Sequence, residues 1–326
     1  VVKKKSFKIP LLILFLVVGA GFYLSYLWMV SPVASDGQEK VFVVNRGEPT
    51  KTIAIRLKKE GLVKSSCLFI IETYRLGLMG KIQAGSFRLS QTMDTSQIVK
   101  NLTSGRLDQW LTVVEGLRRE QIANLVEKEL AISGTDFLLA SLGKEGSLFP
   151  DSYLIPIGSS AKKVVEMMST NFDKKTAKIQ KGNDLDGFSF DQLIVIASLV
   201  EREVKTDNDR QLVAGIIKKR LNSDWALQID ASSQYAKASR VCGGIIDCQW
   251  WPDVGSADLK IDSPYNTYLN RGLPPQPICN PSLSSLEAVA DSIDSEYWFY
   301  LSDLSGKIHF SKTYEEHEFN IGKYLF

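Results

Sequence analysis

Apolar and polar positions divide the chain into an uncharged opening run and a long tract of short, mixed elements. From Ile9 to Val30 no side chain is charged, and most positions are Leu, Ile, Val, Phe, Gly, Ala or Trp. A run of about 22 residues matches the roughly 20 that a helix needs to cross a hydrocarbon core about 30 Å thick. The polar stretch 31–39 reads as a linker. Beyond it, 41–44 alternates as a strand and 45–49 is a turn of Asn, Arg, Gly, Glu and Pro. Helical spacing follows at 52–59 (Ile53, Leu57) and 67–76 (Phe69, Ile70, Tyr74). A strand at 85–89 precedes a helix at 95–102 opened by Asp94 or Thr95. The tract 40–105 is therefore predicted as a small mixed module.

Downstream the pattern predicts a strand at 111–114, an amphipathic helix at 118–130 and a short helix at 136–142, then turns over 143–152. The stripe Val164, Val165, Met168 and Phe172 places a helix over 161–179. The segment 190–204 is apolar nearly all round until Glu201-Arg202-Glu203, the mark of a buried helix. Helices at 211–221, 282–291 and 314–324, a loop at 265–281 and a hairpin of 297–301 with 307–310 complete the reading. The fold class is α+β: one N-terminal transmembrane helix, the module at 40–105 and a larger mixed α/β domain over 106–326.

Charge gives the opening helix a direction. Lys3, Lys4, Lys5 and Lys8 precede it, whereas Asp36 and Glu39 follow. Lysines stay on the cytoplasmic side, so residues 1–8 read as a cytoplasmic tail and the bulk of the chain as extracytoplasmic. Tyr23, Tyr26 and Trp28 fall at the outer interface, where aromatic rings are favoured. The competing reading is a cleaved signal peptide, but its apolar core would be long and Pro32-Val33-Ala34-Ser35 is a poor cleavage site.

Composition narrows the classes. Of 326 residues 44% are apolar, enough for a sizeable core, and the net charge of +2 with scattered basic residues carries no nucleic-acid signature. Four cysteines are too few for a disulfide scaffold. Cys242 and Cys248, separated by a Gly-Gly turn, form either a small staple or two free thiols, and Cys67 and Cys279 cannot be paired from sequence. With His309 and His317 as the only histidines there is no HExxH pattern and no ligand cluster, and GxSxG, Walker and dinucleotide motifs are absent. Carboxylates remain. Glu201 is the first ionisable residue after the apolar run 193–200 and lies over Ile194, Ala197 and Ser198 on a helix, where poor solvation would favour its neutral form. Glu203 lies over Leu199 and Val200 and competes with it. The bland alternative is that both glutamates end a core helix and pair with Arg202 or Lys205.

Several strings sharpen this choice. Val114-Glu-Gly116, Leu148-Phe-Pro-Asp-Ser-Tyr153, Ala197-Ser-Leu-Val-Glu-Arg-Glu203, Gln228-Ile-Asp230 with Tyr235, Ser263-Pro-Tyr-Asn-Thr-Tyr268 and Gly272-Leu-Pro-Pro275 with Asn280-Pro281 occur in that order. Together they resemble the MltG (YceG-like) family of endolytic murein transglycosylases, from about residue 40 to the C-terminus. The resemblance implies an anchored bacterial lyase, without cofactor or metal, that cuts the MurNAc–GlcNAc bond inside peptidoglycan strands and leaves 1,6-anhydro ends. It implies Glu201 as acid and then base, with Glu203 supporting it. Gln228, Asp230, Tyr265, Asn266, Tyr268 and Asn280 are implied to contact the sugar or to shape the cleft. The module at 40–105 resembles a LysM-like region, either glycan-binding or a spacer, and peptidoglycan synthases follow as partners by analogy to the family. The tract Cys242 to Pro252 departs from the pattern and reads as an inserted hairpin whose Trp250 and Trp251 either support a sugar or cap the hairpin. The rival functions are a non-catalytic cell-wall-binding scaffold and a hydrolytic muramidase, the latter needing Asp230 or Glu203 as a second carboxylate.

Overall fold

A computed structural model describes residues 8–182, 185–204 and 206–325. Lys3, Lys4, Lys5 and Lys205, used in the sequence reading, lie outside the described residues. The opening run is a helix, α1 (Lys8–Val30), with no buried residue in its window Ile13–Val30. Among the described residues it is the one helix long and apolar enough to cross a membrane. The chain divides into two compact units, residues 1–110 with 154–157 and residues 111–153 with 158–326.

In the first unit β1 (Lys40–Val44) is followed by α2 (Thr50–Lys59), α3 (Ser66–Arg75), β2 (Gly85–Leu89) and α4 (Thr95–Ser104). β1 and β2 pair antiparallel, with Lys40 opposite Leu89 and Val44 opposite Gly85. One face of this ribbon, Phe42 and Phe87, meets Leu57, Phe69 and Leu102 from the helices in a closed core. Asp94 caps α4 through a reciprocal bond pair with Gln97, which fixes where that helix begins. The segment 31–39 departs from the linker expected of it. Val33 and Ala34 both donate backbone N–H groups to Gln91 O, and Ser90 Oγ donates to Gly37 O, so the path from α1 to β1 is strapped to the turn after β2.

A separate two-stranded sheet pairs β3 (Asp108–Thr112) with β4 (Ser152–Pro156). β3 starts three residues before the predicted strand, and β4 has no counterpart in the sequence reading. Five-residue strands carrying charge and proline give too short an alternation to register.

The second unit is built on α8 (Phe190–Glu203). Ser189 and Gln192 form a capping box at its start, and Leu193 to Val200 are all buried. Against it pack α9 (Asp207–Asn222), α10 (Asp230–Cys242) and α11 (Leu283–Ala290), and the unit also holds α5 (Arg119–Leu130), α6 (Gly134–Ala140) and α7 (Ala161–Gln180). The hairpin β5 (Phe299–Ser302) and β6 (Ile308–Ser311) and the closing helix α12 (Tyr314–Tyr324) complete the unit. α9 begins four residues before the predicted helix, because its first turn is polar and its start is set by Thr206, which accepts the Asp209 N–H. α10 was invisible to periodicity. Its buried positions are Ala231, Ser232, Ser233, Ala236 and Ala238, too small and polar to stand out as an apolar stripe.

The inserted hairpin expected at 242–252 is instead a loop without strand pairing, closed by a Cys242–Cys248 disulfide. Its Trp250 is buried and stacks on the guanidinium of Arg118, which is sandwiched on its other face by Tyr235. Exchanging both disulfide cysteines for serine frees a loop of sequence separation 6, and loop-closure entropy predicts a loss of about 2 kcal/mol of stability. Urea unfolding of the oxidised chain and the double variant, followed by tryptophan fluorescence, measures this difference.

Candidate active site

A helix turns about 100° per residue, so Glu201 and Glu203 on the last turn of α8 point about 200° apart. Their surroundings differ accordingly. The Glu201 side chain is 7% exposed and faces the start of α11. Its Oε2 accepts three bonds, from Ser282 N at 2.8 Å, Ser282 Oγ at 2.5 Å and Ser285 Oγ at 2.7 Å. Oε1 lies 3.9 Å from the Arg210 guanidinium. A carboxylate at a helix N-terminus is favoured by the unpaired N–H groups and the helix dipole, so the poor solvation foreseen for Glu201 is offset by a ring of donors.

Glu203 lines a cavity of about 480 Å³ in the second unit. Gln228, Asp230, Tyr268, Tyr300 and His317 share its wall. Burial pushes the Glu203 carboxyl up to about 7, and the negative charge of Asp230 pushes the same way. The Ala231 N–H and the Tyr300 hydroxyl donate to it and restrain the rise. Asp230 accepts a 2.6 Å bond from the Tyr268 hydroxyl. A separate cavity of about 510 Å³, lined by Lys178, Asp207, Gln211, Glu287 and Asp291 among others, contains none of the site residues foreseen from sequence.

The motif strings meet because polar side chains tie their backbones together. Ser198, fully buried on α8, accepts the Ile278 N–H at 3.0 Å and so holds the proline-rich segment against the helix. Asn280 accepts the Leu148 N–H and donates its amide to Leu117 O and to Glu145. Its backbone N–H donates to Leu117 O, and its O accepts from Gly116 N. Thr267 accepts the N–H groups of Gln228 and Ile229, and its hydroxyl pairs with Ser232. That grip holds Gln228 at φ 54°, a left-handed conformation costly for a residue with a side chain.

Of the residues expected at the sugar, Gln228, Asp230 and Tyr268 gather in the cavity with Glu203. Asn266 and Asn280 do not. Both are fully buried, and the Asn266 amide bonds to Leu259 O and Ile261 O while its carbonyl accepts the Tyr268 N–H. Of the two roles left open for them, contact with sugar or shaping the cleft, their burial and these bonds to the protein favour the second. Tyr265 is absent from the cavity wall and stacks on Tyr235 at 4.5 Å. Trp251 stacks on the Arg202 guanidinium and donates to Gln121, while Trp250 packs in the interior.

Three groups here escaped sequence reasoning. Tyr300 sits on a strand that periodicity found without marking its hydroxyl. Arg220 is buried and binds Trp298 O and Leu227 O, fixing β5 and the approach to Gln228. His317, on α12, faces the cavity, stacks on Phe299 at 5.2 Å and has a buried Nδ1 with no hydrogen-bond partner. Burial holds its pKa below the usual range.

Comparison with known proteins adds a family context. The family model described as the YceG-like family matches residues 42–323. An endolytic murein transglycosylase of Streptococcus pneumoniae is 28% identical over 366 aligned positions, covering 98% of this chain and 65% of the relative. The chain thus spans a little under two thirds of that relative's length. An endolytic murein transglycosylase of Bacillus subtilis is 30% identical over 332 positions, covering 91% of this chain and 88% of the relative. The crystal structure of a yceG-like protein from Listeria monocytogenes matches with a TM-score of 0.60 at 26% identity, covering 86% of this chain and 98% of that one.

The framing role of Asn280 has a measurable consequence. Asn280→Ala strands the Leu148 N–H, Leu117 O and Glu145 in the interior, and each buried group left unpaired costs about 1–3 kcal/mol. The variant is expected to unfold at least 2 kcal/mol more easily in urea (about the cost of one such group).

Proposed function

The chain belongs to the YceG-like family, and from that premise we propose a membrane-anchored endolytic lytic transglycosylase of peptidoglycan whose acid and base is Glu203. The observation that carries the reading is the lifted, cavity-facing Glu203 carboxyl beside Asp230. The relatives named endolytic murein transglycosylase support the reaction class. We assign the role to Glu203 rather than to Glu201, two residues before it, which the family resemblance implies. Glu201 Oε2 is taken up by Ser282 and Ser285, whereas Glu203 opens on a space of the size that takes small ligands.

In the proposed reaction Glu203, protonated near neutral pH, gives its proton to the oxygen between MurNAc and GlcNAc. The C1–O bond breaks and positive charge gathers at C1. Asp230, kept in place by the Tyr268 hydroxyl, offers that charge a carboxylate. Glu203, now ionised, takes the proton from the muramyl C6 hydroxyl as its oxygen bonds to C1. The product is a 1,6-anhydro ring, no water is consumed, and the carboxyl returns to its starting state. Attack from within the same sugar needs no positioned water, because its effective concentration far exceeds that of an outside nucleophile. Gln228 is suited to an N-acetyl group and Tyr268 to a sugar face.

The apolar α1 fits a single-pass anchor, with Lys8 and the residues before it inside and both units outside the cytoplasm. The first unit keeps the turn 45–49 followed by α2 that the LysM-like resemblance implies. Glycan binding there is part of the proposal, as is work beside peptidoglycan synthases.

Two experiments test the site. Full-length protein in detergent, incubated with purified peptidoglycan, should release anhydro-muramyl ends by mass spectrometry. Reducing ends would instead mark a hydrolase, and intact strands a binding protein. Glu203→Gln should lower turnover at least about 100-fold with unfolding unchanged. Glu201→Gln should keep turnover within a few-fold and lose about 2 kcal/mol of stability by exchanging an acceptor for a donor facing Ser282. The opposite pattern would return the role to Glu201.

The second is a pH profile. The acid must hold a proton, so the rate should fall as pH rises through about 7, the value to which Glu203 is raised. A carboxyl raised on folding keeps a proton that the unfolded chain releases, so its contribution to stability declines from the ordinary carboxylate range up to about 7. Initial rates and urea midpoints across pH 5–9 (a range of about two units either side of that value) would separate the two effects.

A further inference from the structure

The outward face of α3 is apolar where a soluble helix is normally charged. Ile71, Tyr74 and Met79, in α3 and the turn after it, are 48%, 76% and 45% exposed, and Cys67 is exposed one turn before Ile71. The positions 67, 71 and 74 fall on one side of the helix, at spacings of four and three. Lys64, Arg75 and Lys81 surround the stripe, against the single buried acid Glu72.

This face adjoins the end of the anchor. Tyr26 donates its hydroxyl to Glu72 on α3 at 2.7 Å. Lys64 bonds Trp28 O at 2.9 Å and Ser31 Oγ at 2.8 Å, and its ammonium sits 4.7 Å over the Trp28 ring. The Arg75 guanidinium holds Glu72 ionised, at about 2, with the Ser96 hydroxyl also donating to it. An ion pair of this kind is excluded from hydrocarbon. The helix rise of 1.5 Å per residue puts Tyr26 about 27 Å from Lys8, close to the thickness of the hydrocarbon layer. The bonds from Tyr26 and Trp28 therefore fix α3 at the depth where that layer ends.

We propose that the outward stripe of α3, Ile71, Tyr74 and Met79 within a basic rim, rests in the headgroup layer of the membrane that α1 crosses. The inference relies on the reading of α1 as an uncleaved anchor. Short apolar side chains dip into the boundary, the Tyr74 hydroxyl stays among headgroups, and the exposed Lys81, with the exposed part of the Glu72-paired Arg75, meets anionic phosphates. The contact gives the first unit two points of attachment, the helix and the stripe, and so a fixed tilt against the bilayer.

The exposed Cys67 offers a probe without disturbing the stripe, since Cys279 is buried and Cys242 and Cys248 are bonded. The full chain in nanodiscs of phosphatidylglycerol and phosphatidylcholine is labelled at Cys67 with a small fluorophore. Quenching by a lipid carrying a nitroxide near its headgroup is then compared with quenching by a water-soluble nitroxide. The control carries the label at Lys51→Cys on α2 in a Cys67→Ser background. The expected result is lipid quenching at least threefold stronger at position 67 than at position 51, with weaker aqueous quenching. Equal behaviour of the two positions in loaded nanodiscs would overturn the docking while leaving the anchor intact. Failure of the chain to enter nanodiscs would overturn both.

Discussion

Burial of α8 is the constraint on which the second unit depends. Eight successive side chains, Leu193 to Val200, lose contact with water, and a helix sealed on all sides can present chemistry only where it ends. Its last turn carries two glutamates two residues apart, so helical geometry sends them in different directions. One meets the start of α11 and receives three hydrogen bonds from it. The other meets the cavity formed with α10, the hairpin and α12. Glu201 thereby ties the end of α8 to the start of α11.

The same division of labour runs through the motif strings. Ser198, Asn266, Thr267 and Asn280 are polar, buried and bonded to backbone. Each ties a loop to a helix or to another loop, which loops of irregular backbone require because they lack a ladder of their own. The residues that reach the cavity are their neighbours: Gln228 and Asp230 beside the Thr267 clasp, and Tyr268 next to Asn266 and Thr267. The strained backbone of Gln228 is paid for by this clasp and by Arg220, whose guanidinium holds Leu227 O. A string such as Tyr-Asn-Thr-Tyr thus mixes clamps with contacts, and polarity alone does not separate them.

This explains what was legible in the sequence. Apolar runs and stripes gave α1, α5, α7 and α8 within a residue or two at most of their ends, because such patterns are local signals, and α12, which buries none of its residues, was placed as closely. α10 and β4 escaped, the first because its buried face is alanine and serine, the second because it is short and its partner lies some forty positions away in the chain. Within the site, the family resemblance implied Glu201 as the acid and Glu203 as its support, and the two differ in surroundings that the apolar run alone does not distinguish. Proximity to apolar residues along the helix was a poor guide to solvation, since Ser282 and Ser285 arrive from more than eighty residues further on. Tyr300 and His317 likewise acquire their surroundings only when the hairpin and α12 fold back over α10.

A carboxyl that serves first as acid and then as base needs neither a high nor a low pKa but one near the ambient pH. Burial and Asp230 alone would leave Glu203 unwilling to lose its proton, and good as an acid only. The Ala231 N–H and the Tyr300 hydroxyl oppose them, because both bond most strongly to the ionised form. Ala231 belongs to the first turn of α10, where N–H groups are free of helical partners, so this bond follows from starting a helix at Asp230. Tyr300 is supplied separately by β5, which Arg220 anchors through Trp298 O. The balance at Glu203 therefore rests on three elements meeting at the end of α8. A change in the hairpin that withdrew Tyr300 would raise the carboxyl further and slow the second, proton-accepting half of the proposed reaction more than the first.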